Sequence, residues 1–250
     1  MGEDDDRLLS QGVELARTLY SHGLGRGQRL LDAGSGYGRL ALGLMSTGFE
    51  GSYVGFDILE RHVLWCRQNL TTYDKRYLFK HLDVRNDRYN PTGTGDPATT
   101  PFPITSGSKD VAALFSVFTH LYEPEIRHYL AELRRVLAPG GKAVTSWLLF
   151  DRSRLPAVVS SRSAYRLVYT LDEHVRFSDP EDPLRAIGYR ESSMRRMVRE
   201  AGLRVTRVDR GSWCGEKVDG DRFQDVVVIS RPGRWESKGR TLTAIPRRGL

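Results

Sequence analysis

Arg29-Leu30-Leu31-Asp32-Ala33-Gly34-Ser35-Gly36-Tyr37-Gly38 is the stretch that decides the fold of this 250-residue chain. Its first four residues read as a short buried strand, and the three glycines read as a tight loop. Arg39-Leu40-Ala41-Leu42-Gly43-Leu44-Met45 then resumes helical spacing. The order is strand, glycine loop, helix.

Working outward, the same rhythm repeats. Upstream, Leu8, Leu9, Val13, Ala16, Leu19 and Tyr20 recur at three- and four-residue steps, as on one helical face. Downstream, residues 52–57 form a strand ending in Asp57, residues 59–70 a helix, and residues 77–82 a third strand closed by Asp83-Val84-Arg85-Asn86. Residues 89–109, rich in Pro and Gly, have no periodicity and read as a long loop of the kind that covers a site or moves. Residues 111–118 are continuously apolar, which suits a central strand covered on both faces. A helix over 123–137, stopped by Pro139-Gly140-Gly141, leads into a buried strand over 142–150. Residues 151–188 break the rhythm and read as an insertion over the sheet's carboxyl edge. A helix over 192–201 with Gly202 just past its end precedes two strands, 203–210 and 223–230. The connection between those strands is short and shows no helical pattern, so they pair antiparallel. Alternating strands and helices predict an α/β fold with a largely parallel sheet and helices on both faces.

The glycine spacing narrows the ligand. A dinucleotide fingerprint needs a third glycine at position 39, which is Arg39. The Walker pattern with its Lys-Ser/Thr ending is absent. Asp32, two residues before Gly34, would repel a pyrophosphate but could receive an ammonium group, directly or through water. A ligand with a cationic amine near the turn and no phosphates fits: S-adenosyl-L-methionine.

On these residues the chain resembles the class I S-adenosylmethionine-dependent methyltransferases over roughly residues 28–230. The resemblance implies a Rossmann-like, seven-stranded, mostly parallel sheet with an antiparallel last strand. It implies that backbone at Gly34 and Gly36, with Ser35 and Gly38 in the same loop, lies against the methionine part of the cofactor. Asp57 matches the acid that takes both ribose hydroxyls, with Ile58 beside it. Two hydroxyls donating to one carboxylate explain why an acid belongs there. Asp83 and Val84 match the adenine contact, and Ser116 the segment whose backbone faces the cofactor.

A sulfonium methyl is already activated, so aligning the acceptor is the main task. An alcohol acceptor must also lose a proton, and His120, directly after the central strand, is the expected base. Asp151 and His174 are weaker candidates; Trp147, Tyr165 and Trp213 are candidates for an acceptor pocket. Residues 116–121, the loop at 89–93 and Gly211-Ser212-Trp213-Cys214-Gly215 resemble a bacterial branch some of whose members act on sugars or secondary metabolites. The expected reaction is therefore O-methylation of a hydroxyl on a small molecule. Ser116-Val117-Phe118-Thr119 departs from the Asp/Asn-Pro-Pro-Tyr/Phe run of enzymes that methylate base amines. Neither Cys66 nor Cys214 has the setting of a cytosine-carbon nucleophile, and no acids after the central strand suggest a metal, so none is expected.

Composition bounds the rest. No run of apolar residues is long enough to cross a membrane, and the acidic N-terminus lacks a secretory pattern. With two unpaired cysteines, a cytoplasmic location is expected. Residues 231–250 hold six basic residues against Glu236, which is +5 of the chain's net +7. One domain over 1–230, with the insertion at 151–188, and a basic, flexible tail over 231–250 are expected. That basic segment keeps open an RNA or protein methyltransferase, and a cofactor-binding scaffold without activity is the third alternative.

Overall fold

The computed structural model describes residues 3–218 and 222–233. Of the basic segment 231–250, only residues 231–233 fall among them, and the expectation of a flexible tail otherwise lies outside the described residues. Arg231 itself is paired: its amide donates to the Gly141 carbonyl at 2.8 Å.

In chain order the elements are α1 (Glu3–Ser21), β1 (Arg29–Ala33), α2 (Arg39–Ser46), β2 (Ser52–Asp57) and α3 (Glu60–Cys66), which runs on into a π turn over Arg67–Thr71. Next come β3 (Tyr77–His81), β4 (Lys109–Leu114), α4 (Glu123–Val136), β5 (Leu137–Trp147), β6 (Leu149–Phe150) and the short α5 (Leu155–Val158). The chain continues through β7 (Tyr169–Thr170), β8 (Val175–Phe177), β9 (Ile187–Arg190), α6 (Glu191–Glu200), β10 (Arg204–Asp209) and β11 (Asp225–Ser230).

The main sheet has seven strands in the order β10-β11-β5-β4-β1-β2-β3. β1 to β5 pair in parallel, and β11 enters antiparallel between β5 and β10. This is the expected Rossmann-like sheet with its reversed last strand. The strand order turns back between β1 and β4, which puts a ligand crevice beyond their carboxyl ends.

Alternation along β1 sends Leu31 and Ala33 to one face and Leu30 to the other. The first face packs α4 through Ile126, Leu130 and Leu133, and α6 through Met194, Met197 and Val198. The second packs α1 through Ala16 and Leu19, α2 through Leu40 and Leu44, and α3 through Val63. α1 lies flush on α2 because two glycines meet there: a Cβ on Gly43 would stand 2.0 Å from the Gly12 carbonyl oxygen.

Two local expectations are corrected. The strand expected over 111–118 ends at Leu114, because Ser116 turns the backbone with φ of 57° and Phe118–His120 form a 3-10 turn. The apolarity of Phe118 serves the core, where its ring lies 4.4 Å from that of Trp147. The strand expected over 142–150 starts earlier, at Leu137, and breaks after Trp147; Leu149–Phe150 open a second sheet of order β6-β9-β8-β7, built from the insertion and the residues that flank it. The long loop expected over 89–109 is present and is fastened to α4. Phe102 and Ile104 are buried, the Phe102 amide donates to Glu132 at 2.6 Å, and Arg135 donates to the carbonyls of both residues.

Candidate functional site

The parallel strands bring the carboxyl ends of β1, β2, β3 and β4 to one edge of the sheet. From that edge residues 34–38 arch into α2. Gly34 and Ser35 donate their amides to the Phe56 carbonyl at 2.9 and 3.0 Å, tying the loop to the end of β2. Gly36 and Gly38 take left-handed φ values of 52° and 75°. A side chain there costs roughly 1–2 kcal/mol. At Gly38 a Cβ would also stand 2.4 Å from Leu70 Cδ1, whereas nothing lies within 4 Å of the Cβ position at Gly36. Packing therefore demands Gly38, and Gly36 leaves an open cradle. Gly34 passes under Val117, whose Cγ2 would be 2.7 Å from a Cβ.

Asp57 borders the cradle. Its Oδ2 accepts the Gly36 amide at 2.7 Å and its Oδ1 the Leu59 amide at 2.9 Å. Each carboxylate oxygen retains a second lone pair for a further donor. Tyr37 and His62 stand beside it, with ring centroids 3.7 Å apart and His62 Nδ1 3.9 Å from Asp57 Oδ1. Burial lowers the His62 pKa, which favours the neutral ring. Sequence reasoning does not single out Tyr37 or His62; the only signal is position, inside the loop and in the first turn after Asp57.

Asp83 is exposed, accepts the Thr94 hydroxyl at 2.6 Å, and has Asn90 Nδ2 3.4 Å from its other oxygen. The Thr94 bond holds its carboxyl below the usual range. Val84 is buried, and Ile58 packs half-buried against the same apolar cluster. Ser35 is buried, and its side chain sits close to Gly55. Asp32 is also buried: the Tyr53 hydroxyl donates to its Oδ2 at 2.5 Å, and loss of solvent pushes its pKa up to about 7.

Ser116 is held in its left-handed turn by two bonds. Its amide donates to Ser146 Oγ at 2.7 Å and its hydroxyl to Gln224 Oε1 at 3.1 Å, while Ser146 Oγ donates to the same Gln224 oxygen at 2.6 Å. His120 follows four residues later. Its Nδ1 donates to the Leu184 carbonyl at 2.7 Å, so Nε2 carries the ring's lone pair, with the Tyr89 hydroxyl 3.5 Å away. Burial lowers the His120 pKa against the opposing effect of the Leu184 bond. Tyr89 and Leu184 line a cavity of about 520 Å3. A larger cavity, about 900 Å3, runs from α1 past Arg39, Phe115 and Ser116 to Tyr165 and Phe223.

The weaker candidates separate. Tyr165 lines the larger cavity, but Trp147 and Trp213 are fully buried, their indole N–H groups donating to Thr145 and Asp225. Asp151 caps a turn, its Oδ1 accepting the amides of Ser153 and Arg154. His174 lies in the turn between β7 and β8, beside Glu173. Among the described residues no cluster of His, Cys, Asp or Glu could hold a metal ion, and no helix is long and apolar enough to cross a membrane.

A Rossmann-like sheet with a reversed last strand, an open glycine cradle and strand-end acids defines an adenosyl-binding domain of the methyltransferase type. Residues 31–145 match the family described as Methyltransferase domain, and over that segment the chain is similar to the class I S-adenosylmethionine-dependent methyltransferases, whose cofactor is S-adenosylmethionine. A fatty-acid O-methyltransferase of Mycolicibacterium smegmatis is 28% identical over 143 residues, 55% of this chain and 43% of that protein, so the match spans less than half of the relative. A Pyrococcus horikoshii protein of solved structure superposes with a TM-score of 0.59 at 16% identity, covering 93% of this chain and 92% of that one. The 1,6-didemethyltoxoflavin-N1-methyltransferase of Burkholderia thailandensis, solved with S-adenosylhomocysteine, superposes at 0.55 with 16% identity, covering 90% and 79%. At such identities the superpositions carry the fold.

Proposed function

We propose that this chain passes the methyl group of S-adenosylmethionine to an oxygen of a small-molecule acceptor. The observation that carries the reading is the open cradle at Gly36, bordered by Asp57 on the same sheet edge as Asp83 and the Ser116 turn. When bound, the cofactor supplies a methyl carbon already activated by sulfonium. Backbone at Gly34, Ser35 and Gly36 receives the methionine part, with Gly38 allowing the loop to close. Asp57 takes the ribose hydroxyls, and Ile58, Asp83 and Val84 the adenine. Ser116 shapes the wall toward the acceptor, and Asp32, closed to solvent and bonded to Tyr53, supports the end of β1 instead of receiving the ammonium group directly.

For a hydroxyl acceptor, His120 Nε2 is the proton acceptor: Nδ1 is committed to Leu184, and a lowered pKa keeps the ring neutral at physiological pH. The name of the mycobacterial relative supports oxygen as the methylated atom. Residues 1–230 act as one domain with 151–188 as its cap, and two buried free thiols, Cys66 and Cys214, suit the cytoplasm. The test is incubation with methyl-labelled cofactor and fractionated cell extract. Label in the small-molecule fraction is expected. Label confined to RNA or protein would overturn the acceptor, and the absence of any calorimetric heat with S-adenosylmethionine would overturn the enzyme in favour of a scaffold.

A further inference from the structure

The larger cavity carries a charge pattern that the cofactor does not explain. Its lining holds Arg7, Arg17, Arg39 and Arg222 against one acid, Glu14. Among the described residues Arg7 and Arg17 form no ion pair, and Arg39 donates to Gln11 Oε1 at 3.1 Å. Other arginines of this protein divide between paired ones, such as Arg29 with Asp110, Arg76 with Asp74 and Arg127 with Glu123 and Glu200, and ones such as Arg26, Arg61 and Arg134 that form no ion pair among the described residues. The guanidinium groups of Arg7, Arg17 and Arg39 along one concavity raise the local positive potential, and they do so beside the crevice where a sulfonium ion is to sit. A negatively charged ligand would complement that potential.

The cavity is amphipathic. Leu15, Phe115, Tyr165, Phe223 and Val226 supply apolar wall, with the Tyr165 and Phe223 rings 5.7 Å apart. Its volume of about 900 Å3 is that of a site for a whole small molecule. Its lining includes Phe115 and Ser116, immediately past the carboxyl end of β4, on the side from which an acceptor would approach the transferred methyl group; His120 follows four residues later and does not itself line it. The position of α1 is fixed by the contact of Gly12 with Gly43, so Arg7 and Arg17 project from a braced helix. The arginines surround a concavity instead of spreading over a convex face, which favours a small ligand over a polymer.

We infer that the acceptor is a small organic oxyanion with an apolar or aromatic body, its anionic group held by a guanidinium of this lining on α1, Arg7 or Arg17. This rests on the methyltransferase reading and names the substrate class of that site. Guanidinium forks match the planar oxygen pair of a carboxylate and the oxygens of a phosphate ester equally, so the shared chemistry is the oxyanion.

The experiment titrates the S-adenosylhomocysteine-loaded full chain with salicylate and octanoate, with phenyl phosphate, and with the uncharged salicylamide and octanol. Affinity for S-adenosylhomocysteine is measured first, so that loss of cofactor binding, which would sink the methyltransferase reading, is seen separately. At least one anionic probe is expected to bind about tenfold or more tightly than its uncharged counterpart. Carboxylate and phosphate arms identify which oxyanion is preferred. In the Arg7→Gln/Arg17→Gln variant that preference should fall about tenfold or more, with S-adenosylhomocysteine affinity unchanged. Equal affinity for charged and uncharged probes overturns the inference. So does a variant that loses the cofactor, because the arginines would then serve the methionine carboxylate. Tight binding of an RNA oligonucleotide with none of the small anions also overturns it.

Discussion

The Tyr53 hydroxyl donates to Asp32 Oδ2 at 2.5 Å in a site closed to solvent. One hydrogen bond does not replace the hydration of a carboxylate, and burial raises the Asp32 pKa from 3.8 to about 7. The native state therefore holds this proton more tightly than the unfolded chain between those two values. The contribution to stability is fully present below about 4, declines as pH rises through the window, and is lost above about 7. Asp32→Asn keeps an oxygen for Tyr53 without the charge. It should be more stable than the parent at pH about 8, by on the order of a few kcal/mol, with the gap closing toward pH about 4. Urea midpoints across that range check it; a pH-independent gap would remove the buried charge as its cause.

Gly36 and Gly38 share a backbone conformation but differ in surroundings, and alanine separates them. Gly38→Ala drives a Cβ into Leu70 on top of the left-handed penalty, so about 2–5 kcal/mol of stability should be lost. Gly36→Ala meets no atom and should cost only about 1–2 kcal/mol. Its methyl group occupies the cradle, so calorimetry should show a marked loss of cofactor affinity in a folded protein. Retained affinity would move the cofactor away from Gly36.

Asp57→Ala should weaken S-adenosylmethionine binding by about 1.5–3 kcal/mol, the worth of charge-assisted hydrogen bonds to the ribose. It also strips the Gly36 and Leu59 amides of their acceptor. Asp57→Asn, which keeps one accepting oxygen, should fall between parent and alanine variant. Equal binding by all three would remove the ribose role.

Much of this arrangement is legible in the sequence, for physical reasons that differ by residue. Asp57 and Asp83 can be read because parallel strands send their carboxyl ends to one edge, so spacing alone places them together. The Tyr53–Asp32 bond cannot, because it depends on register: Asp32 pairs with Gly55, and Tyr53 lies two residues away on the same face of β2. The end of β4 is hidden because Phe118 is apolar for packing in a 3-10 turn, which looks like continued strand. The second sheet is hidden because its strands are two to four residues long and join distant segments, Leu149 with Tyr189. The arginine-lined cavity is assembled from α1, Arg39 of α2, the β4 edge, Ser146 of β5, Tyr165 of the insertion and the β11 approach, segments no local pattern connects.

Arg154 is the peg of the insertion. It donates to Asp225 at 2.9 Å, Glu216 at 2.7 Å and the Gly211 and Leu149 carbonyls at 3.1 Å, while Asp225 is fully buried. Arg154→Met leaves the Asp225 charge without its partner and should cost about 3–5 kcal/mol. Adding Asp225→Asn should recover part of that loss in thermal denaturation. No recovery would place the cost in packing instead of charge.

His120 offers the sharpest kinetic test. Its Nδ1–H is anchored to Leu184, so protonation can occur only at Nε2, and burial lowers the pH at which that happens. A base of this kind works while neutral, so the rate should fall only on the acid side, with its midpoint below the ordinary histidine value of about 6.5. His120→Ala should cut kcat by about 10²-fold or more, abolish that acid limb and leave cofactor affinity intact. His120→Gln restores the Leu184 bond without a titrating group, so recovered stability with kcat still depressed would separate proton transfer from anchoring. An unchanged kcat with the acid limb preserved in either variant would assign the proton to another group, and the anionic acceptor inferred above, if methylated at an already ionised oxygen, would then need no base at all.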